Sequence, residues 1–221
     1  MTQTTTQEAW AYLSRVVEGP CAPLADLIAE LGPEETAYVI RHHDRLPEVL
    51  EHRVRARRDW DCAQDDLECA QANGFHLLTP DMPEWPSDHL AEFGYSAMYA
   101  RQVRDAAEWA PYALWVKGNM DVLRCPSIAV VGSRHPSTDG KRVTATLCAE
   151  MAVENIGLVS GLACGVDSIA HQTAVQLGTS TIAVVACGLD RVYPARHTAL
   201  ARSIVHNGLI VSEYPPGTRP A

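Results

Sequence analysis

The sequence contains no apolar run near the ~18–20 residues that a helix needs to cross a bilayer. Its opening, MTQTTTQEAW, has neither a basic n-region nor an apolar h-region, which predicts no secretory signal and a cytoplasmic location. Cysteine pairing is also absent. The seven cysteines, at 21, 62, 69, 125, 148, 164 and 187, are odd in number and include no C-x-x-C, which argues against a zinc knuckle or a disulfide framework. Reduced thiols are expected instead, with Cys148 and Cys187 set in apolar stretches as core residues. The phosphate and nucleophile signatures are missing too. The stretch after the first strong strand candidate reads GSRHPSTDG rather than G-x-G-x-x-G. Neither G-x-x-x-x-G-K-[ST] nor G-x-S-x-G occurs. A simple NAD dehydrogenase, a P-loop NTPase and an α/β-hydrolase are thereby disfavoured. No His/Asp/Glu group has metal-ligand spacing, so neither metal nor cofactor is expected.

What is present is an ordinary globular composition over 221 residues, 47% hydrophobic and 20% charged. That length allows one large domain or two small ones. Positive charge is scarce overall, with 18 Lys/Arg against 27 Asp/Glu. The deficit is local. Residues 1–124 hold 11 Lys/Arg and 21 Asp/Glu, a balance of −10, whereas residues 125–221 hold 7 and 6, a balance of +1. The second half would not repel a polyanion.

Three segments follow. Residues 1–73 read as a small helical domain. Leu24, Leu27, Ile28 and Leu31 share a face, and Leu31-Gly32-Pro33 ends one helix and starts the next, giving a helix hairpin. The run Arg53, Arg55, Arg57, Arg58 alternates with acidic flanks and reads as a solvated face. Residues 74–124 form a lead-in with short strands near Phe75–Leu78 and Tyr112–Val116, a Pro-rich loop and a helix near 96–109. The five Trp, at 10, 60, 85, 109 and 115, are expected to fill the core of this half. From 125 the texture is regular: strands at 127–131, 157–160, 181–186 and 209–212 alternate with helices at 138–155, 166–177 and 197–206. Val143, Leu147 and Met151 form the apolar stripe of the first of these helices, and 127–131 reads as a strand covered on both faces. The alternation predicts an α/β, Rossmann-like fold: a mostly parallel sheet with flanking helices, preceded by the helical N-terminal domain.

Ligands bind beyond the carboxyl ends of the strands in such sheets. Four strand tips, Gly132-Ser133-Arg134, Gly161 to Asp167, Cys187 to Asp190 and Glu213 to Gly217, all carry small, polar or turn-forming residues. Gly161 and Gly165 let the backbone approach a ligand, and the following helix aims its free N–H groups at the same space, a combination that binds phosphate. Ser133 and Arg134 add a hydroxyl and a guanidinium fork. Asp167 reads either as a helix N-cap or as a pocket residue. His171 reads either as a helix residue or as a base. Ser160, Asp167 and His171 make a triad only on paper, without a nucleophile elbow. Tyr193 and Tyr214, the only aromatics after residue 124, lie in loops where a base could stack.

VVGSR at 130–134, VSGLACGVDSIAH at 159–171, TIAVVACGLDRVYP at 181–194 and GLIVSEYPPGT at 208–218 together resemble the DprA/Smf family of DNA-processing proteins. The likeness starts near residue 75, with Trp85-Pro86 and APYALWVKGN at 110–119. It implies an extended Rossmann-like domain at 125–221 that binds single-stranded DNA without catalysis. It further implies a homodimer that protects single strands in natural transformation and helps to load the RecA recombinase. By motif position the phosphate pocket is lined by Ser133, Arg134, Ser160, Gly161, Gly165 and Asp167. With the neighbouring tip residues, the DNA-binding candidates are Gly132, Ser133, Arg134, Ser137, Ser160, Gly161, Leu162, Gly165, Asp167, Gly188 and Tyr193. The family loop commonly carries Arg where this chain has Cys164, so Arg134, with Lys141 and Arg142 as further candidates, is left with more of the anion binding. The family pattern runs beyond Ala221, which implies a chain truncated at its C-terminus. A nucleotide-binding enzyme or sensor on the same fold, akin to the phosphoribohydrolases, is the alternative, although their P-G-G-x-G-T-x-x-E loop is absent.

Overall fold

The computed structural model describes residues 5–17, 19, 21–42, 46–88, 90 and 110–220. The chain forms two compact units. One comprises residues 1–72, 77–114 and 213–215, and the other residues 73–76, 115–212 and 216–221. The helix expected near 96–109 lies outside the described residues, as does Trp109.

The first unit is helical. Helix α1 (Thr6–Val16) starts at a reciprocal cap between Thr5 and Glu8, which satisfies two otherwise orphaned N–H groups. Helix α2 (Ala22–Arg41) breaks at Gly32 (φ 80°, ψ 168°) ahead of Pro33. This is the expected hairpin turn, where only glycine adopts the backbone without strain. Helices α3 (Glu48–Val54) and α4 (Ala63–Asn73) follow. Charged groups brace this unit from inside. The Arg15 guanidinium grips the nearly buried Asp66 carboxylate with two contacts, at 2.6 and 2.5 Å. Arg41 lies 4.1 Å above the ring of the buried Tyr12, whose hydroxyl donates to the Arg58 carbonyl at 2.9 Å. Burial pushes the Tyr12 phenol up to about 12. Arg58, expected on a solvated face, is only 6% exposed and pairs with Glu51. Trp10 and Trp115 are core residues as expected, whereas Trp60 is 55% exposed.

The sheet has six strands in the order β1-β2-β6-β5-β4-β3. They are β1 (His76–Leu78), β2 (Leu114–Gly118), β3 (Ser127–Ala129), β4 (Gly157–Ser160), β5 (Thr181–Val184) and β6 (Leu209–Ser212). The pairs β3/β4, β4/β5 and β5/β6 are parallel and β2 runs antiparallel to β6. Helices α5 (Thr138–Val153), α6 (Val166–Leu177) and α7 (Thr198–Asn207) make the crossovers. The fold is therefore α/β and Rossmann-like, a mostly parallel sheet with flanking helices. A core cluster of Leu158, Cys148, Ala170 and Ala174, with Val130 and Met151 packed on it, joins β4 to α5 and α6.

Two expectations about this core are corrected. Strand β3 is the sheet edge, and Ser127, Ile128 and Ala129 are all exposed rather than covered on both faces. The buried side of α5 is Cys148 and Ala152, while Val143 and Leu147 are 49% and 48% exposed. One cause serves both. Beyond β3 no further strand of the sheet is paired among the described residues, so the side of α5 that overhangs this edge meets no layer.

Candidate functional site

The carboxyl ends of the parallel strands β3, β4, β5 and β6 lie on one edge, as the topology requires. The loops there are tied to one another. Val166 N–H, at the start of α6, donates to the Ser133 carbonyl at 3.1 Å. A Cβ on Gly165 (φ 86°) would stand 2.2 Å from that same oxygen and 2.7 Å from the Arg134 carbonyl carbon. Glycine at 165 is thus required twice, by the backbone sign and by the close approach. His197, just before α7, has Nδ1 at 2.8 Å from the Leu162 carbonyl, to which it donates. Asp190 Oδ1 accepts the Gly217 N–H at 2.8 Å and Oδ2 meets Arg191 Nη2 at 2.9 Å. Burial raises the Asp190 carboxyl, but that amide and guanidinium outweigh it and hold the group below the usual carboxylate range.

Asp167 takes neither role offered by the sequence in its simple form. The N-cap of α6 is Gly165, which has no side-chain cap hydrogen bond. Asp167 sits one turn position inside, 7% exposed, and its Oδ2 accepts from Gly161 N at 3.2 Å and Ala163 N at 3.3 Å. The chain's own carboxylate thus occupies two amides of the loop after β4. The reason is electrostatic: an acid in the first turn is favoured by the helix N-terminus, and two loop amides complete its hydrogen bonding.

A cleft of about 410 Å³ opens at the sheet edge, bounded by Arg134 and His135 after β3, Gly161, Ala163 and Cys164 after β4, Val185 to Cys187 after β5, and Tyr193, Pro194 and Arg196. Its ionisable lining, apart from the thiols Cys164 and Cys187 and the phenol of Tyr193, is entirely basic. Neither Arg134 nor Arg196 makes an ion pair among the described residues. Tyr193 is 55% exposed there. Clefts of one charge sign with low-dielectric walls concentrate the field on an oppositely charged ligand.

Of the residues singled out in the sequence, Arg134, Gly161 and Tyr193 line this cleft. Gly132 and Gly165 seat the loops around Val166: a Cβ on Gly132 would lie 2.8 Å from a Val166 methyl. Ser133 Oγ accepts from His135 N at 3.0 Å, and Ser137 caps α5 by accepting from Gly140 N at 3.1 Å. Ser160 is turned inward and donates to the Val130 carbonyl at 2.7 Å. Leu162 is 2% exposed with a left-handed backbone (φ 58°), a rare conformation for a branched residue and one that marks loops held by their surroundings. Gly188 is buried and donates to the Thr218 carbonyl. His171 is wholly buried, with Nδ1 2.8 Å from Thr181 Oγ1. Burial pushes its imidazole down to about 4 despite the nearby Asp167 charge. Arg196 and His135 were missed. The signal was there in RVYPARH and SRH, bases just past strand tips, but the loop path that carries Arg196 back to β3 is not written in spacing.

A family model described as DNA recombination-mediator protein A matches residues 91–221. A putative DNA processing protein DprA of Mycobacterium tuberculosis is 42% identical over 218 residues, covering 98% of this chain and 55% of the relative. This chain belongs to the DprA/Smf family. Protein Smf of Escherichia coli is 38% identical over 133 residues, covering 60% of this chain and 35% of that protein. Among solved structures, the DprA of Streptococcus pneumoniae superposes with a TM-score of 0.69 at 29% identity, covering all of this chain and 71% of the other. A Helicobacter pylori DNA processing protein A, described by its single-stranded DNA binding mode, gives a TM-score of 0.51 at 29% identity over 66% of this chain and 59% of that one. The chain thus spans about half the length of the first curated relatives it matches. No described helix of this DprA/Smf chain is long and apolar enough to cross a membrane, and no cluster of three or more metal-ligating side chains occurs among the described residues.

Proposed function

We propose that the cleft between Arg134 and Arg196 binds the phosphates of single-stranded DNA without regard to sequence. The observation that carries this reading is the pair of guanidiniums, neither engaged by an acid among the described residues, converging on one cleft at the carboxyl edge of the sheet. Support comes from the family: the Helicobacter pylori relative is described by its single-stranded DNA binding mode. Guanidiniums meet phosphate oxygens as planar forks. Two of them on a small cleft hold a backbone but read no base edge. The proposed role is that of a binder and not of an enzyme.

Membership of the family supports a wider role, which extends the proposal. The protein protects incoming single strands in natural transformation and recombination and assists RecA loading, as a homodimer in the cytoplasm. The cleft itself is tested by fluorescence anisotropy with labelled oligo-dT across a salt series. Phosphate binding makes log affinity fall linearly with log salt, by about one unit of slope per phosphate contact. Arg134→Ala is expected to weaken binding and to flatten that slope by about 1. Affinity indifferent to both salt and Arg134→Ala would refute the reading.

A further inference from the structure

The helical unit holds a groove of about 530 Å³, formed by α1, α2, the loop after β1 and residues 110–112. It is open to solvent and falls within the range of ligand sites, about 300–1,000 Å³. Phosphate binding makes no use of it. Aromatic and proline rings make its walls: Trp10, Trp85 and Tyr112, with Pro33, Pro80 and Pro111. Among the described residues its charged lining is Glu34 and Asp81, both exposed, with no base. Further acids adjoin the lining along the chain, at Asp26, Glu30, Glu35 and Glu84. The walls are fixed in place. The Trp10 indole N–H donates to Asp81 Oδ1 at 2.8 Å and ties the loop after β1 to α1. The Tyr112 hydroxyl donates to the Val17 carbonyl at 3.0 Å and ties residues 110–112 to the end of the same helix. Thr6 donates to Glu34 and joins α1 to α2. Two successive turns, from Met82 N–H to the Thr79 carbonyl and from Trp85 N–H to the Met82 carbonyl, set the backbone that carries Trp85. The Trp85 indole N–H itself makes no hydrogen bond among the described residues.

We propose that this groove docks a partner protein through a basic, proline-rich segment in the extended polyproline II form. Three features select that occupant. Aromatic edges set among fixed prolines suit a ligand whose own rings enter as apolar wedges and whose preset backbone loses little entropy on binding. The polyproline II backbone makes no internal hydrogen bonds, so its carbonyls accept from outside, and the unused Trp85 N–H is a donor in the groove wall. The acids at Glu34 and Asp81 favour Lys or Arg beside the prolines and repel phosphate, so neither a nucleic-acid strand nor an anionic lipid surface fits there. Because each wall is hydrogen-bonded to α1 or α2, the groove exists before the ligand arrives and little of the contact energy is lost to ordering it. The proposal is independent of the phosphate cleft, and it gives the acidic half of the chain a task that its charge suits.

The experiment measures, by fluorescence anisotropy with the full chain, a labelled nonapeptide of three Pro-Pro-Arg repeats against nonapeptides of Pro-Pro-Glu and of Gly-Ser-Arg repeats. The Pro-Pro-Arg peptide is expected to bind about tenfold more tightly than either, the size of one charge-assisted contact. Gly-Ser-Arg binding as tightly would leave only charge attraction, and Pro-Pro-Glu binding as tightly would remove the role of the acids; either result overturns the proposal, as does the absence of saturable binding by Pro-Pro-Arg. Trp85→Ala is expected to weaken that binding by about tenfold or more, as loss of a central aromatic contact does. Glu34→Gln combined with Asp81→Asn keeps the acceptors for Thr6 and Trp10 and should bring Pro-Pro-Arg and Pro-Pro-Glu to within about twofold of each other. Full discrimination that survives in these folded variants counts against the groove. Hydrogen exchange on the wild-type chain needs no variant: protection by the Pro-Pro-Arg peptide at residues 79–88 and 110–113 supports the site, and protection confined to other segments overturns it. Concentration-dependent dimerisation that Trp85→Ala abolishes would make a second copy of the chain the occupant, and arginine amide binding as tightly as the nonapeptide would reduce the occupant to a lone cation; both overturn the proposal.

Discussion

In the helical unit, arginines are matched to acids: Arg15 to Asp66, Arg41 to Asp61, Arg58 to Glu51. At the carboxyl edge of the sheet, Arg134 and Arg196 border a cleft that contains no acid. Both regions use the same side chain, and its surroundings assign it opposite tasks. A guanidinium locked onto a buried carboxylate serves the fold, because leaving either charge alone in the interior is costly. A guanidinium at a solvent-filled edge costs little to keep there and is available to an incoming anion. The overall excess of acid, 27 Asp/Glu against 18 Lys/Arg, is therefore a poor guide to binding, since it sits chiefly in residues 1–124.

The contrast is broken most severely from the structural side. Asp66→Ala strands Arg15 in a half-buried site and is expected to destabilise the helical unit by about 3–5 kcal/mol, measured by urea unfolding, with oligo-dT affinity at low denaturant unchanged. The mirror experiment is the double variant Arg134→Ala with Arg196→Ala. It should lower oligo-dT affinity by about 100-fold at low salt, taking about 1.5 kcal/mol per charged hydrogen-bonding group, while unfolding midpoints stay within ~0.5 kcal/mol of wild type. If the double variant instead unfolds early, the two arginines are structural after all and the contrast collapses.

A smaller effect comes from the buried imidazole of His171 in α6. His171 titrates near 4 in the fold against an ordinary value of 6.5. Because the unfolded chain takes up this proton first, stability is full above about pH 6.5 and declines as pH falls toward 4. Between pH 7 and pH 5 the loss should be about 2 kcal/mol, read by urea melts at the two values. In His171→Asn that component of the slope should vanish. The smallest change sharpens the cleft side of the comparison. Cys164→Arg adds a third guanidinium to the lining and should raise affinity several-fold and steepen the salt slope by about 1. An unchanged slope would show that residue 164 does not reach the phosphates.

Much of the fold was legible because local chemistry and topology agreed. Helix α6 at 166–177 and strands β4 and β6 lie where periodicity and glycine punctuation put them. The hairpin turn at Gly32 could be read from a single dipeptide. The covering of β3 was not legible. Its continuous apolar run is what a buried strand requires, yet nothing in that run records which neighbour is present. Val143 and Leu147 were misplaced for the same reason: a stripe defines a face, not what it faces. Of the cleft lining, Arg134 and Gly161 were legible because they come soon after strands. Arg196 was not, because it arrives by a long loop. Asp167 was half understood, since a carboxylate in a first helical turn can cap its own helix or, as here, fold back onto the preceding loop at 3.2 Å from Gly161 N.

The sequence by itself determined the order of strands and helices, the parallel sheet and the edge at which its carboxyl-end loops gather, since periodicity and crossover handedness are local or topological constraints. Only tertiary structure decided which charges meet. The choice of Asp167 to occupy its own loop amides and the meeting of Arg134 with Arg196 at one cleft each depend on three-dimensional distances, where a shift of one or two ångströms separates a hydrogen bond from an open cleft.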